Sequence, residues 1–511
     1  MDNAEKRFWD FSALIIIISF SFLQVLRSSI FPQFIDTYYH LLTAWGFLKA
    51  GGYSAWDFWQ YAPVGRPHIY PPVYHLILAF LLHLGAHKIV LAKCFETAVP
   101  ILFLCVTWRF TRRNYNQRLA FFVVVAATTS FSFYLSLCNN IPATLAILFG
   151  FYAYEQLCGR RFLRAMLLLA LCFYTHIGVS WFFAASILLF GLFTTRYRKI
   201  SIAAVVTTLM LAVPLLAVQI RALRQISLAG IGEKYFMEFK IVEYALAFLG
   251  LGIAVKKPSC KLFLAFFIAS FVFLPYPYRF VSAQGYLPVI FLSALALDYV
   301  YERLWNKAMC VKCAYIGLVG YCVLFSTTVL MEKEFDKGGK INYKVYVADA
   351  VLPDMLFPER NERIASSTLW FPHEYLPLAE YIRQHSQDDE IISSSLFIPG
   401  VALASLSERA CANGLFPEIS PPGKFYPFAA SKLVILPKDS TAKEAAYFIS
   451  TYHLTMIRET KMFRVYENLF CQSKLTIRKA GVSFELIFLI SFAFFIFFWQ
   501  DKRVEKAFLT F

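Results

Sequence analysis

Charged residues are scarce in this 511-residue chain, and their scarcity excludes a water-soluble protein. Asp, Glu, Lys and Arg make up 16% of the sequence, against about 25% in soluble domains. Hydrophobic residues make up 59%, and the mean hydropathy is +0.55. A water-soluble fold has too little interior to bury that fraction, and several apolar runs reach the length of about 20 residues that a helix needs to cross a bilayer. The sequence therefore predicts a polytopic α-helical membrane protein.

Missing motifs and the placement of the cysteines exclude or disfavour several further functions. The chain has no P-loop, GxGxxG, HExxH or GxSxG motif in a supporting context, which disfavours an ATP-driven pump. Most of its 11 cysteines lie inside apolar runs, and the large polar segment holds Cys411 and Cys471, which leaves one candidate disulfide. Cys310 and Cys313 form a CxxC pair that has no second pair or nearby histidines, so chance is favoured over a metal or redox site.

The positive charge follows a topological pattern. Twelve spans are predicted, near 9–31, 89–108, 119–137, 143–157, 163–178, 180–194, 201–219, 241–255, 262–276, 286–301, 311–331 and 482–499. With the N-terminus in the cytosol, basic clusters such as those at 109–118, 160–164 and 196–199 fall on the inner side, as the positive-inside rule requires. Membrane topology thus explains the formal net charge of +16, and no nucleic-acid partner is predicted.

Two long segments are predicted on the outer side. The chain divides into a transmembrane domain at 1–331, an extracytoplasmic α/β domain at 332–480, and a last span with a basic cytosolic tail at 481–511. The first external loop covers 32–88. Its apolar stretch at 70–86 is interpreted as a helix at the outer interface, because a crossing there would move the basic 109–118 cluster outside. We expect a multi-pass protein of the cell (plasma) membrane with both termini in the cytoplasm, since no retention signal is evident.

The segment 332–480 has the residue pattern of a small α/β domain. Its predicted elements are a helix from Pro377, a short strand at 391–392, a helix at 401–409, a buried strand at 433–436, a helix from Thr441 to His453 and a hairpin at 454–466.

The first external loop concentrates acidic, basic and aromatic side chains at the membrane surface. The sequence IDTYYH occupies 35–40, directly after the first span, and WDFWQYAPVGRPH occupies 56–68. Asp36 lies at the hydrocarbon boundary, where an ionised carboxylate is costly unless it is paired, metal-bound or in a wet cavity. Taken alone, Asp36 is equally well explained as the cap of a helix that starts at Thr37.

The loop contains the groups that one reaction needs. Transfer of a sugar from a lipid-linked donor requires a carboxylate that takes a proton or holds a metal, cations for the leaving phosphate, and aromatic faces for sugar and lipid. The residues that supply this set are Asp36, His40, Asp57, Arg66, His68 and His75.

With these residues the sequence resembles the GT-C superfamily of membrane glycosyltransferases. Members of that superfamily use polyprenyl-phosphate-linked sugars and place an essential acidic residue just after the first span, a position that Asp36 matches. The run from Trp56 and Asp57 to Arg66, followed by Tyr70 and a proline, is similar to the W-F-D, Y-P-L-G-R and Y-P-G run of oligosaccharyltransferase catalytic subunits. The resemblance implies a GT-C-like transmembrane domain and a bilayer-embedded transferase.

The resemblance also implies roles for individual residues. We predict inverting transfer in which Asp36 is the base on the acceptor hydroxyl or a ligand of a divalent metal, Mg or Mn. Asp57 and His40 would orient the acceptor, and Arg279 or Arg66 would stabilise the leaving phosphate. The predicted substrate-binding residues are Tyr39, His40, Arg66, His68, His75, His176 and Arg279.

The sequence also departs from the oligosaccharyltransferase pattern. Its second external loop reads CNNIP at 138–142, where that family has paired acids, and its nearest match to W-W-D-Y-G is WFPHE at 370–374. Metal dependence is therefore open. Transfer of a single sugar to a lipid-linked glycan or another envelope acceptor is favoured over protein N-glycosylation.

Less specific explanations remain beside these assignments. Arg279 is equally well explained as an interfacial anchor, His176 is better explained as a hydrogen-bonded structural histidine, and Glu96 and Asp298 as polar contacts between helices. A multi-pass transporter or lipid-glycan flippase is the alternative function, although the chain lacks the repeated halves typical of transporters. A scaffold that binds a partner through its external domain is a third.

Overall fold

The computed structural model describes residues 2–27, 35–129, 131–223, 236–304, 308–324, 328–335, 341–348, 372–415, 421, 426–438, 440, 442–487 and 489. Most of the last predicted span and the basic tail lie outside the described residues. Trp370 and Phe371, from the aromatic cluster at 370–374, also lie outside them.

Helices dominate the described chain. Before the polar segment they are α1 (Asn3–Arg27), α2 (Ile35–Ala50), α3 (Val73–His83), α4 (Lys88–Asn114), α5 (Gln117–Thr129), α6 (Phe131–Asn139), α7 (Ile141–Cys158), α8 (Phe162–Phe173), α9 (Ile177–Phe193), α10 (Arg198–Leu223), α11 (Ile241–Lys256), α12 (Lys261–Ala269), α13 (Pro277–Val281), α14 (Leu287–Leu304) and α15 (Met309–Leu324). The polar segment adds α16 (Pro372–Gln384), α17 (Phe397–Ser407) and α18 (Ala442–Tyr452).

Among the described residues, five helical stretches are long and apolar enough to cross a membrane: Asn3–Leu26, Lys88–Asn114, Ile141–Cys158, Thr195–Ala222 and Tyr278–Leu304. The predicted span near 119–137 is divided between α5 and α6. The predicted span near 311–331 is too long, because α15 ends at Leu324 and a strand begins at Thr328, where β-branched residues favour extended backbone. A helical membrane protein is thus supported, and the total of twelve spans stays a prediction.

The strands are short and form small sheets. They are β1 (Gly52–Tyr53), β2 (Trp56–Asp57), β3 (Arg66–Pro67), β4 (Phe236–Lys240), β5 (Thr328–Phe335), β6 (Ile341–Ala348), β7 (Ile391–Ser394), β8 (Ala410–Cys411), β9 (Leu433–Pro437), β10 (Leu454–Glu459), β11 (Phe463–Asn468) and β12 (Val482–Ser483). Strands β4, β5 and β6 pair antiparallel in that order.

The polar segment contains a five-stranded α/β sheet. Its order is β10-β11-β9-β7-β8; β7 runs parallel to β8 and β9, and the other pairs are antiparallel. The strands predicted near 391 and 433, the helices and the hairpin are present, although the helix predicted from Pro377 begins at Pro372. The candidate disulfide is wrong, because Cys411 is buried in β8 and both Cys411 and Cys471 are free thiols. The boundaries of this domain and its side of the membrane stay predictions.

The first external loop is built onto the edge of this α/β sheet. The backbone N–H of Cys411 donates to the Trp59 carbonyl at 2.9 Å, and the N–H of Ala62 donates to the Cys411 carbonyl at 3.1 Å. Gln60 pairs with Cys411 as a parallel bridge. Residues 59–62 therefore extend the sheet beyond β8, and buried side chains of α2 share one hydrophobic cluster with β7, α17 and β9.

A second cluster fills the helical bundle. It joins buried apolar side chains of α1, α4, α5, α7, α9, α12 and α14 and is rich in phenylalanine. At the start of α5, Arg118 donates to Asp298 at 2.5 Å and to Glu302 at 2.6 Å. Asp298 is therefore a contact between α5 and α14.

Candidate active site

Asp36 stands in the first turn of α2. The helix already begins at Ile35, so Asp36 is not the cap of a helix starting at Thr37. A carboxylate in the first turn interacts favourably with the helix dipole. Burial raises the pKa of Asp36 to about 6, and the positive charge of Arg279 acts against that rise. The carboxyl group is thus a stronger base than an ordinary aspartate and is mostly ionised at neutral pH.

Arg279 faces Asp36 from another part of the chain. It lies in α13, a single turn that follows the bundle helix α12. Its guanidinium lies 5.2 Å from the centre of the Tyr276 ring, and it hydrogen-bonds to the Tyr70 hydroxyl. Burial raises the pKa of Tyr70 to about 12, so this hydroxyl keeps its proton and can donate it in a hydrogen bond.

His176 is the third member of this group, and its two ring nitrogens both face donors. As the cap of α9, its Nδ1 accepts from the Val179 N–H at 3.2 Å. Its Nε2 lies 3.1 Å from Nη1 of Arg279. A neutral imidazole has one acceptor nitrogen, so Nδ1 and Nε2 cannot accept from both of these donors at once. In the tautomer in which Nδ1 caps the helix, Nε2 carries the hydrogen, and an oxyanion beside the pair would accept from Nε2–H and from the guanidinium.

The α9 N-terminus adds to the same anion-attracting surface. Its first-turn N–H groups and dipole favour negative charge. Tyr70 links this surface to the first loop, since its ring lies 6.2 Å from that of His176 and 5.8 Å from that of Tyr39. We call Asp36, Tyr70, His176 and Arg279 the outer cluster.

The second external loop contributes amides beside the outer cluster. Asn140 caps α7 by accepting from the Ala143 N–H at 3.3 Å, and it also hydrogen-bonds to Tyr70. The buried Oδ1 of Asn139 has no hydrogen-bond partner. Among the residues that the structure describes, no group of three or more His, Cys, Asp or Glu side chains could hold a metal ion. The divalent metal that the resemblance allowed stays a prediction.

His40, His68 and His75 pack together behind Tyr39 rather than lying apart along the loop. Nδ1 of His40 lies 2.9 Å from Nε2 of His75, and the His68 ring lies 5.7 Å from the His75 ring. Burial lowers the pKa of all three below the ordinary value of 6.5, to about 3 for His75. This histidine cluster is neutral at pH 7, so it would meet a substrate through hydrogen bonds and not through positive charge.

Asp57 and Arg66 form a separate, fully buried ion pair. Nε of Arg66 lies 3.1 Å from Oδ2 of Asp57 across the β2–β3 pair, and their side chains are 2% and 1% exposed. Arg66 also donates to Gln60 at 3.1 Å and lies 4.9 Å from the centre of the Tyr61 ring. Burial raises the pKa of Asp57 to about 6, against the charge of Arg66. The pair braces the loop segment that extends the α/β sheet, and its predicted role toward substrate stays a prediction.

Sequence reasoning overlooked two members of this region. Tyr70 belongs to the Tyr-Pro run used for the resemblance, and that run was the signal that could have found it. Asn140 was considered only as a missing acid. Glu96 is a contact between helices, since it accepts from the Thr37 hydroxyl at 2.5 Å.

The fold is similar to that of two solved membrane proteins. The apo archaeal oligosaccharyltransferase from Archaeoglobus fulgidus aligns with a TM-score of 0.58 at 13% identity, over 93% of this chain and 76% of that one. Its complex with an inhibitory peptide and a dolichol-phosphate gives 0.54 at 12% identity, over 89% and 74%. Its complex with Zn and sulfate gives 0.51 at 12%, over 89% and 73%. ArnT from Cupriavidus metallidurans in the apo state gives 0.54 at 13% identity, over 89% and 98%.

At these identities the structural alignment shows the fold alone. The chain shares the fold of the archaeal oligosaccharyltransferase and of ArnT, in agreement with the resemblance found in its first loop. No protein family profile matches the sequence, and neither does any curated protein.

Proposed function

We propose that this protein is an inverting membrane glycosyltransferase that moves one sugar from a polyprenyl-phosphate donor to an extracytoplasmic acceptor. The observation that carries the proposal is the outer cluster, in which a base of raised pKa, Asp36, interacts with the charge of Arg279, and Arg279 in turn contacts His176. The fold shared with a protein solved with dolichol-phosphate supports a lipid-linked donor.

The proposed reaction is a single displacement at the anomeric carbon. Asp36 takes the proton of the acceptor hydroxyl, whose oxygen forms the new bond to that carbon. The bond to the phosphate oxygen breaks, and the phosphate leaves on the lipid. Because base and leaving group lie on opposite faces of the sugar, the configuration inverts.

The remaining residues would stabilise the leaving phosphate and position the sugar and the acceptor. Arg279, the Nε2–H of His176, the Tyr70 hydroxyl and the α9 N-terminus would accept the charge that develops on the leaving phosphate. Tyr39, His40, His68 and His75 would contact the sugar or acceptor. The Asp57–Arg66 pair would keep the first external loop in place. The first and second external loops and the segment 332–480 would be extracytoplasmic, and both termini would be cytosolic. The acceptor would be a lipid-linked glycan, an envelope polymer or a protein.

Asp36→Asn tests the proposal. The purified protein is incubated with a panel of undecaprenyl-phosphate hexoses and pentoses and a membrane-lipid acceptor extract, and the release of undecaprenyl phosphate is measured. Loss of the base should lower turnover by about 100-fold or more, while binding of undecaprenyl phosphate should not weaken, because the substitution removes a negative charge beside Arg279 and no phosphate donor group.

Asp389→Asn is the matched control, since it removes an exposed carboxylate in the α/β sheet domain. It should retain full turnover. Turnover by Asp36→Asn at the wild-type rate would contradict the proposal. Lipid-linked sugar that crosses the bilayer intact, with no release of the phosphate, would favour the flippase instead.

A further inference from the structure

We propose that a cavity between the first external loop and the α/β sheet domain binds the part of the acceptor that does not react, and that this part is an uncharged glycan. The inference rests on the proposed function and narrows its acceptor to a glycan. It follows from the position of the cavity, from its lining and from the pairing of its charges.

The cavity lies where α2 and the turn between α3 and α4 meet α16 and α17. Its volume is about 560 Å³, within the range of about 300–1,000 Å³ that small-molecule sites have. No residue of the outer cluster lines it. We call it the α2–α16 cavity. Side chains that line it include Lys49, Lys88, Leu376, Glu380, Arg383 and Glu408.

The α2–α16 cavity lies farther from the membrane than the base Asp36. The Thr37 hydroxyl donates to Glu96, so α2 and α4 lie side by side at the residue after Asp36. From this contact α4 extends back to Lys88, about 12 Å along its axis, and α2 extends forward to Lys49, about 18 Å. Because Lys88 begins a helix that is long enough to cross a membrane, the predicted topology places the cavity on the outer side. A ligand that reaches from the cavity to the base must therefore be extended, as an oligosaccharide is.

The charges at the α2–α16 cavity are paired with one another. The ion pairs are Lys49–Asp388 at 2.8 Å, Lys88–Glu408 at 3.1 Å and Arg383–Glu380 at 2.5 Å. A ligand of either sign would be attracted by one member of each pair and repelled by the other. The cavity therefore favours a ligand without net charge.

These paired groups still offer hydrogen bonds to a ligand. An ammonium has three donors, a guanidinium five and a carboxylate about four acceptor sites, so one ion pair does not use them all. Glu380, Arg383 and Glu408 are 46%, 50% and 43% exposed, which leaves their free sites accessible. A sugar hydroxyl both donates and accepts, so it can bond to both members of one pair.

Apolar side chains form the rest of the α2–α16 cavity. Leu376 of α16 is 41% exposed, and Trp45 and Leu48 of α2 also line the cavity. A sugar ring has apolar C–H faces and polar edges, which match this mixture. An acyl chain would leave the charged groups without hydrogen-bond partners. An extended peptide is usually bound along a strand edge, whereas helices and a turn form these walls.

Leu376→Trp tests the inference, because the indole would fill the cavity from an exposed position. Turnover is measured with undecaprenyl-phosphate sugars and the membrane-lipid acceptor extract. The apparent KM for the acceptor should rise at least about tenfold, while kcat and the KM for the donor change less than about twofold, since the cavity binds away from the reacting atoms. Leu469→Trp, which alters an exposed leucine after β11, should behave as the wild type does.

Removal of one charged group is a second test. Glu380→Ala removes a carboxylate that would accept from sugar hydroxyls, so the apparent KM for the acceptor should rise at least about threefold. Glu459→Ala is the matched control, because it removes a glutamate of β10 that is exposed and ion-paired with Lys438. It should leave that KM unchanged. Thermal unfolding identifies a cavity variant that does not fold, and the other variant then decides.

Competition tests the chemical class of the ligand. The acceptor extract is hydrolysed with mild acid, and its water-soluble glycans are digested with protease and added to the turnover assay. They should inhibit the wild type competitively against the acceptor and inhibit Leu376→Trp at least about tenfold less. Competition by the peptide or the lipid fraction in place of the glycans would overturn the glycan assignment.

Two further outcomes separate this inference from the proposed function. An unchanged acceptor KM in folded Leu376→Trp and Glu380→Ala would overturn the cavity as an acceptor site and leave the transferase standing. Absence of turnover by the wild type would overturn the transferase and the inference together.

Discussion

The chemistry of Asp36 results from two opposed effects at one residue. Burial disfavours its charged form and raises its pKa, while the guanidinium of Arg279 favours the charged form. The balance lies near pH 6, close to the pH at which a base gives both a useful ionised fraction and useful basicity. An exposed aspartate would be fully ionised and a weaker base.

This balance predicts a pH profile. Only ionised Asp36 can accept the acceptor proton, so kcat/KM should rise about tenfold per pH unit below a pKa near 6 and level off above it. Arg279→Gln removes the charge that favours the ionised form of Asp36, so the rising limb of the kcat/KM profile should move to higher pH. Measurement of kcat/KM from pH 4.5 to 8 checks both. A limb that stays in place, or moves to lower pH, would refute the pairing.

Residue identity and residue environment differ in how well the sequence reveals them. Asp36 and Arg279 could be selected because their types and positions suited the chemistry. The neutral state of the histidine cluster could not be predicted from the sequence, because it depends on burial created by elements more than 30 residues apart. The pairing of Asp57 with Arg66 was equally hidden, because it depends on the β2–β3 register.

At the scale of elements, the contact between 59–62 and the α/β sheet is the feature that fixes the first loop. Tyr61 has φ of 52°, a left-handed conformation that is costly for a bulky residue. Its N–H donates to the Asn413 carbonyl at 3.2 Å, and its ring lies directly over Gly414. The sheet edge thus holds the loop in a backbone conformation that it would not keep alone.

Gly414→Ala should loosen that contact. The added methyl group would collide with the Tyr61 ring, at a cost of about 1–3 kcal/mol for overpacking. We expect faster hydrogen–deuterium exchange of the amides at 59–62 and a lower thermal unfolding midpoint. Gly481→Ala, where an added Cβ meets open space, is the control. Unchanged exchange at 59–62 in Gly414→Ala would show that the loop is ordered without the sheet.

Prediction of the elements was most accurate where local pattern decides. Helices and strands of the polar segment were found because alternation and capping are local signals. The strand at Thr328 was missed because an apolar run suits a span or a buried strand equally well. The joining of 59–62 to β8 had no local signal at all, since a short loop gives no sign of its distant partner.

For the whole molecule, the histidine cluster makes stability depend on pH. The folded-state pKa of each of the three histidines lies below its ordinary value of 6.5, to about 3 for His75, so the unfolded chain binds protons first. The contribution of these neutral histidines to the stability of the folded state is complete above pH 6.5 and is lost as the pH falls toward 3. Asp36 and Asp57 have a folded-state pKa raised to about 6, so the folded state binds their protons first. These two carboxyl groups therefore stabilise the folded state as the pH falls from 6 to 3.8.

The histidines outnumber these carboxylates and begin to titrate at a higher pH, so the net effect is destabilising. The thermal unfolding midpoint in detergent should fall between pH 7 and pH 5. His68→Asn should make that fall shallower, whereas His83→Asn, at the exposed end of α3, should leave its slope unchanged. A midpoint that is constant or rises on acidification would contradict the neutral cluster.

The joining of the first loop to the α/β sheet also sets an order of assembly. The Gln60 side chain accepts from the N–H of Leu415, which is 355 residues later in the chain. At about 5–20 residues per second, a ribosome needs roughly 20–70 s to synthesise that interval. During this time the loop has left the ribosome but its sheet edge does not yet exist. A nascent chain therefore carries Asp36 long before it carries the framework that holds the loop, and a copy truncated before β8 would have the outer cluster residues without the sheet edge that holds the first loop.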